Sequence, residues 1–129
     1  MPGESRGTDG LIHHELTREI IGAFYEIYRR LGYGYFEAVY QRALPIELTW
    51  RGLNSLREVP LTVRYRDEIV GEYRADLIVE GKVIIETKVG EQINQAHEMQ
   101  LLNYLSTAGL RVGLILNFGP RPSFRRLVL

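Results

Sequence analysis

One segment decides the fold, the eight residues Lys82-Val83-Ile84-Ile85-Glu86-Thr87-Lys88-Val89. Because side chains alternate along a strand, Val83 and Ile85 face one side and Ile84 faces the other. Both sides are apolar, which predicts a central strand buried on both faces of a sheet. Glu86 and Lys88 share the side of Ile84, and charged groups are costly to bury unless they are paired or bind an ion.

The preceding segment repeats this arrangement, because Asp76 stands directly before another apolar run. The residues Glu80-Gly81 between the two runs indicate a hairpin turn. A two-residue turn would pair Asp76 with Ile85 and leave Glu86 on the opposite face, whereas a three-residue loop that includes Lys82 sets Asp76 opposite Glu86. Opposed carboxylates about 5 Å apart repel each other unless a cation lies between them. We therefore predict the three-residue loop or a bulge.

A simpler interpretation of the same charges stays open. Strands often end in charged residues as they reach water, and Glu86 with Lys88 would then be a surface ion pair worth under about 1 kcal/mol. The continuous apolar context of both strands favours the buried site over this alternative.

The rest of the chain supplies helices on either side of these strands. Helical spacing of apolar residues, with Thr17 as N-cap and Pro45 as a kink, predicts three helices over 17–31, 36–51 and 92–107. Alternation and turn signals predict strands over 56–59, 61–65, 69–79, 83–89, 112–118 and, at an edge, 124–128. This order predicts an α/β fold with a mixed central sheet of four to five strands flanked by helices. It occupies 12–129 as a single domain, after a disordered N-terminal tail over 1–11.

Composition narrows the function classes. The formal net charge is zero, so any surface for nucleic acid must be local. The chain has no cysteine, which excludes disulfides, thiolate metal sites and thiol catalysis and fits a cytoplasmic location. No apolar run reaches about 18 residues, so we expect no membrane partner. Lys82 and Lys88 are the only lysines.

At this point the residues resemble a known family. The segment Gly34-Tyr35-Phe36-Glu37-Ala38-Val39-Tyr40 is similar to the signature of the GxxExxY proteins, which are assigned to the PD-(D/E)XK nuclease superfamily. The resemblance extends from residue 16 to residue 118 and includes Asp76, the triplet Glu86-Thr87-Lys88 and the segment 100–105. It implies a restriction-endonuclease-like fold of the RecB-like branch without an iron–sulfur cluster. Ala75 stands where the superfamily motif has proline.

The resemblance also implies roles for individual residues. Asp76 and Glu86 would be metal-binding carboxylates, and the backbone carbonyl of Thr87 would be a further ligand. Glu37, at the start of the second helix, resembles the carboxylate that completes the metal shell. Lys88 would orient the attacking water and stabilise charge on the phosphate. The implied catalytic set is therefore Glu37, Asp76, Glu86 and Lys88, with Mg²⁺ or Mn²⁺, because three carboxylates favour a hard ion.

Several other residues have two interpretations. Gln100 and Tyr104 match the QxxxY motif of the RecB-like branch and would bind substrate or brace the site, although a buried structural hydrogen bond is equally consistent. Tyr40 lies one turn after Glu37 and would either support a site carboxylate or pack in the core. His97 would reach the same cleft or be structural. Three arginines near the C-terminus are the best candidates for a basic patch that contacts phosphates: Arg121, Arg125 and Arg126.

These inferences favour metal-dependent hydrolysis of phosphodiester bonds in DNA or RNA, with DNA preferred as the partner. The alternative is a nuclease-like module that binds nucleic acid or a protein without cutting. A third hypothesis is a structural subunit that forms a homodimer through exposed strand edges.

Overall fold

The computed structural model describes residues 12–129, and the tail expected over 1–11 lies outside the described residues. The three helices are α1 (His14–Leu31), α2 (Glu37–Trp50) and α3 (Gln95–Ala108). The five strands are β1 (Ser55–Tyr65), β2 (Glu68–Val79), β3 (Val83–Lys88), β4 (Val112–Asn117) and β5 (Ser123–Val128). They form one sheet in the order β1-β2-β3-β4-β5. All neighbours are antiparallel except β3 and β4, which are parallel and joined through α3. The predicted mixed α/β fold is therefore confirmed.

The central position of β3 is confirmed by its burial. Val83, Ile84 and Ile85 are fully buried. Val83 and Ile85 pack with residues of α1 and α2 on one face of the sheet, and Ile84 packs with residues of α3 on the other. The apolar run predicted for β4 behaves in the same way, since all six of its residues are buried. Helices on both faces exclude water from the middle of the sheet.

The loop between β2 and β3 has the predicted three residues. Val79 pairs with Val83, and the register continues through Ile78 with Ile84 to Leu77 with Ile85. Gly81 adopts a left-handed backbone with φ of 66°, which glycine tolerates without strain. This register puts Asp76 and Glu86 next to each other, immediately beyond the last pair of the ladder.

The helix N-termini differ from the predictions. We predicted Thr17 as the N-cap of α1, but the helix begins at His14 and Thr17 lies buried within it, donating a hydrogen bond to the carbonyl of His14. The third helix begins at Gln95 instead of residue 92. Asn94 caps it by accepting a hydrogen bond from the backbone N–H of His97. Both errors have the same cause, because apolar spacing locates a helix face better than a helix end.

Two strand segments that we predicted separately, 56–59 and 61–65, form the single strand β1. Pro60, which lacks a backbone N–H, lies between the two predicted segments. The strand lies at the edge of the sheet, where one side of its backbone needs no partner strand. Pro45 lies inside α2, which continues to Trp50; the kink expected there stays a prediction. Within residues 12–129, no helix combines the length and apolar character needed to cross a membrane.

The contact between α3 and β4 is unusually close at one glycine. A Cβ atom added to Gly113 would lie 2.8 Å from a side-chain carbon of Leu101 on α3. Leu101 is fully buried, so its side chain has no open space to move into. The absence of a side chain at Gly113 thus sets how closely α3 approaches the sheet.

We predict that Gly113→Ala lowers the free energy of unfolding by about 1–3 kcal/mol, because the added methyl group overpacks the core. Urea denaturation followed by circular dichroism measures this change. Gly90→Ala is the matched control, since a Cβ there meets open space. Equal stability of the two variants would show that the contact with Leu101 does not limit the approach of α3.

Candidate metal centre and active site

Two carboxylates occupy the gap where β2 and β3 separate. The backbone N–H of Asp76 donates a hydrogen bond of 2.8 Å to Oε2 of Glu86. In return, Oδ2 of Asp76 accepts hydrogen bonds from the backbone N–H of Thr87 at 2.8 Å and from its hydroxyl at 2.9 Å. Each carboxylate therefore bonds to the backbone of the opposite strand, at the point where ladder pairing ends at Leu77 and Ile85.

The sheet is also irregular on the other side of Asp76. Pairing between β1 and β2 runs through Arg57 with Leu77 and Val59 with Ala75, and omits the intervening pair of Glu58 and Asp76. Glu58 has φ of 51°, a left-handed conformation that is rare for a residue inside a strand. The alternation of side chains is interrupted here, because Ala75 and Ile78 both belong to the cluster packed on α3. Asp76 thus lies at a break in the sheet between two neighbouring strands.

The environment of Glu86 disfavours its negative charge. Its side chain is buried, with 5% of the residue exposed. Burial raises the pKa of Glu86 to about 8, and the charge of Asp76 acts in the same direction. The hydrogen bond from the backbone of Asp76 and the charge of Lys88 oppose these effects without overcoming them. A nearby divalent cation would favour the ionised form of this carboxyl and offset its repulsion by Asp76.

Glu37 approaches this pair from the first turn of α2. Partial desolvation raises its pKa, Asp76 raises it further by repulsion, and Lys88 lowers it by attraction. These interactions place Glu37 on the same side as the strand carboxylates. One of its oxygens accepts a hydrogen bond of 3.0 Å from the amide of Gln41.

Lys88 lies at the end of β3 on the same face as Glu86. Its Nζ is 3.5 Å from Oε1 of Gln100 on α3, at the limit of a hydrogen bond. Tyr104 lies one turn further along α3 and is buried, which raises the pKa of its hydroxyl; the charges of Glu86 and Asp76 add to this effect. The structure therefore brings Gln100 next to Lys88 and Tyr104 near the two carboxylates.

Thr87 contributes through its backbone. Its N–H points toward Asp76, and the N–H and C=O of one strand residue point to the same edge of the strand. The carbonyl of Thr87 is therefore directed into the same gap. Its side chain is buried and holds Asp76 in place.

Tyr40 occupies the core, which is the packing alternative, and makes no hydrogen bond to Asp76, Glu86 or Glu37. Its ring stacks on Phe118 with the centroids 4.4 Å apart, and its hydroxyl donates to the carbonyl of Gly32 at 2.6 Å. The same hydroxyl accepts from the N–H of Tyr35 at 3.3 Å. Tyr40 supports the site indirectly, by fixing the loop that leads into Glu37.

The donor set fits a hard divalent cation only in part. No three His, Cys, Asp or Glu side chains in the described part of the chain converge as a ready-made metal-binding group. The donors that do converge are Asp76 and Glu86, while Glu37 interacts with them at longer range. Oxygen donors without imidazole or thiolate suit Mg²⁺ or Mn²⁺ better than zinc.

Two of the three arginines of the expected patch near the C-terminus, Arg125 and Arg126, have partners elsewhere in the chain. Arg125 pairs with Glu98 at 3.4 Å, whereas Arg126 donates to Thr17 and to the carbonyl of Ile12 near the start of α1. Successive residues of a strand point to opposite faces, so the two cannot act on one phosphate. His97 completes the cap of α3, because its Nδ1 accepts from the N–H of Asn94. Burial lowers its pKa, and so does the charge of Lys88, which places His97 near the site as well.

Two residues near the site had no role in the sequence-based interpretation. Asn117, fully buried at the end of β4, accepts from the N–H of Gly90 and donates to its carbonyl, both at 3.0 Å. It thereby fixes the chain just after Lys88. A polar residue at the end of an apolar strand was the available signal.

Tyr73 packs against Tyr104 with ring centroids 5.5 Å apart. Regular alternation along β2 would put Tyr73 on the face of the sheet that packs on α1 and α2. The break at Asp76 puts it on the face that packs on α3 instead.

The raised pKa of Glu86 predicts how the metal-free protein responds to pH. Its folded-state pKa of about 8 exceeds the usual value of 4.5, so between these values the folded state holds a proton that the unfolded chain releases. The free energy of unfolding should then fall as pH rises through this window, by up to about 1.4 kcal/mol per pH unit. Glu86→Gln should flatten this slope in urea denaturation with EDTA.

The matched control is Glu68→Gln, which alters an exposed carboxylate near the hairpin tip of β2. It should retain the wild-type slope. A Glu86→Gln protein with the same slope as wild type would show that Glu86 is ionised throughout the window.

Known proteins share the superfamily and the fold of this chain. A family model of the PD-(D/E)XK nuclease superfamily matches residues 14–127. No curated protein matches the chain. Three solved chains do, among them the crystal structure of SSO0001, with a TM-score of 0.57 and 22% identity over 71% of this chain. The match spans 50% of the length of SSO0001, and at this identity it shows likeness of fold alone. The match to the family model extends over nearly all the described residues, and the chain belongs to the PD-(D/E)XK nuclease superfamily.

Proposed function

We propose that this protein is a metal-dependent nuclease that hydrolyses phosphodiester bonds of DNA or RNA. The observation that carries the proposal is the pair of the buried Glu86 and the partly buried Asp76, each bonded to the opposite strand, with the charge of Asp76 repelling that of Glu86. A purely structural pair of like charges would be costly to retain in this position. Membership of the nuclease superfamily supports the same activity.

In this proposal the ion is held by Asp76, Glu86 and the carbonyl of Thr87, with Glu37 completing the set. When bound, Mg²⁺ or Mn²⁺ supplies positive charge that neutralises the developing charge on the phosphate oxygens. The backbone and hydroxyl of Thr87 keep Asp76 oriented before substrate arrives, so the site needs little rearrangement.

Lys88 acts on the substrate. Its ammonium group lies on the face of Glu86 and can donate hydrogen bonds to a non-bridging phosphate oxygen and to the attacking water. Gln100 keeps Nζ of Lys88 directed into the cleft, at a separation of 3.5 Å. Tyr104 lies one turn beyond Gln100 on α3 and lines the same cleft.

The proposal also includes the subfamily, the preferred substrate, the location and the oligomeric state. The segment that positions Glu37, together with the spacing of Gln100 and Tyr104, supports membership of the GxxExxY family within the RecB-like branch. DNA is the preferred substrate and the cytoplasm the expected location. A homodimer through the edge strands β1 and β5 stays a prediction.

We expect Asp76→Ala and Lys88→Ala each to reduce Mg²⁺- or Mn²⁺-dependent cleavage of DNA and RNA at least about 100-fold, because each removes a charge that acts in the transition state. Circular dichroism should show that both variants stay folded. Lys82→Ala is the matched control, since Lys82 is the other lysine and lies exposed in the loop before β3. Wild-type cleavage by Lys88→Ala would refute the assigned role.

The second candidate function is a binding module with the nuclease fold but no catalysis. The absence of a converging three-residue ligand group in residues 12–129 favours it. Isothermal titration with Mn²⁺ separates the two functions. The nuclease proposal predicts that wild type binds the ion, that Asp76→Asn loses binding, and that Asp67→Asn in the β1–β2 turn keeps it. A wild-type protein that does not bind Mn²⁺ would favour the binding module.

A further inference from the structure

A groove of about 510 Å³ opens beside the candidate active site, between α3 and the outer part of β2. Its walls include two tyrosine rings, a methionine and three carboxamide side chains: Tyr73, Tyr104, Met99, Gln95, Gln100 and Asn103. None of the described residues that line it carries a formal charge. The volume falls in the usual range for sites that bind small organic groups.

The groove is continuous with the catalytic residues. Gln100 lines it and also lies 3.5 Å from Nζ of Lys88. Tyr104 lines it and is close enough to Glu86 and Asp76 for their charges to act on its hydroxyl. A phosphate held at Lys88 would therefore have its own nucleoside at the entrance of the groove.

We propose that this groove binds an unpaired nucleobase of the substrate strand, so that the enzyme acts on single-stranded or frayed nucleic acid. The proposal rests on the nuclease function proposed above. It commits to a base because the walls offer an aromatic face and neutral donors and acceptors, whereas a phosphate or an acidic peptide would need cations.

Tyr73 provides the stacking surface. The residue is 46% exposed, and its ring is tilted by 38° against that of Tyr104, so the ring of Tyr73 is only partly covered. Met99, which is 57% exposed, offers a second apolar contact across the groove. Two large, exposed side chains that line one groove next to an active site are typical of a binding surface.

The carboxamides provide the polar contacts. Gln95 and Asn103 are exposed on the face of α3 that borders the groove, and each can donate and accept hydrogen bonds at a base edge. A base within a duplex is stacked on both faces and paired at its edge. It would have to leave the helix to meet Tyr73, which makes an unpaired strand the favoured substrate.

The experiment measures binding without cleavage. All proteins carry Asp76→Asn and are studied in EDTA, and fluorescence anisotropy reports binding of a short labelled single-stranded oligonucleotide. Tyr73→Ala should raise Kd about tenfold or more, whereas Tyr73→Phe, which keeps the ring, should stay close to the parent. Met99→Ala should weaken binding in the same direction and is expected to fold normally at its exposed position.

Two controls identify the contact. Tyr65→Ala removes an exposed tyrosine at the tip of the same hairpin, outside the groove, and should leave Kd unchanged. An abasic strand of the same length should bind the parent protein weakly and be insensitive to Tyr73→Ala. A blunt duplex should likewise show no dependence on Tyr73.

The outcomes separate this proposal from the nuclease function. Three results would each overturn the base-binding groove: an unchanged Kd in both Tyr73→Ala and Met99→Ala, no detectable binding of the single strand, or equal binding of the abasic strand. A groove that binds a protein segment instead would give one of these results. Metal-dependent cleavage could still be found in that event. Conversely, binding that depends on Tyr73 would stand even if the protein cleaved nothing.

Discussion

The exchange of hydrogen bonds between Asp76 and Glu86 is the constraint on which the rest of the site depends. Each carboxylate accepts a hydrogen bond from a backbone N–H of the opposite strand, so these two N–H groups stay paired where β2 and β3 separate. The arrangement is costly, because it buries Glu86 beside a second acid. The protein can relieve this cost by keeping Glu86 protonated or by binding a cation. Cation binding would also supply the metal ion that the proposed hydrolysis requires.

The surrounding elements hold this pair in place from several directions. The three-residue loop fixes the register of the hairpin, and the parallel pairing of β3 with β4 keeps Glu86 and Lys88 on a rigid strand. Tyr40 fixes the loop before α2 and so directs Glu37 toward the pair. Gly113 lets α3 approach closely enough for its polar side chains to reach the cleft. A site on rigid elements is positioned more reliably than one on loops.

The sequence was sufficient to predict the architecture and the proximity of Asp76 and Glu86. Both predictions follow from side-chain alternation, which shows that β3 is buried on both faces and that a three-residue loop sets Asp76 opposite Glu86. Applied to Tyr73, the same rule gives the opposite face from the one observed, since it cannot foresee a left-handed residue such as Glu58 within β1. It also could not show that Arg125 is paired with Glu98, because that contact joins residues distant in sequence. Helix ends were predicted less well than helix faces, as the buried position of Thr17 shows.

The most direct test of the central claim is a crystal of the protein soaked with Mn²⁺ and measured for anomalous scattering. We expect a peak between the carboxylates of Asp76 and Glu86, close to the carbonyl of Thr87. Both carboxyl groups should then be ionised at neutral pH. A soaked crystal with no peak there, or with the ion bound only elsewhere on the surface, would contradict the account.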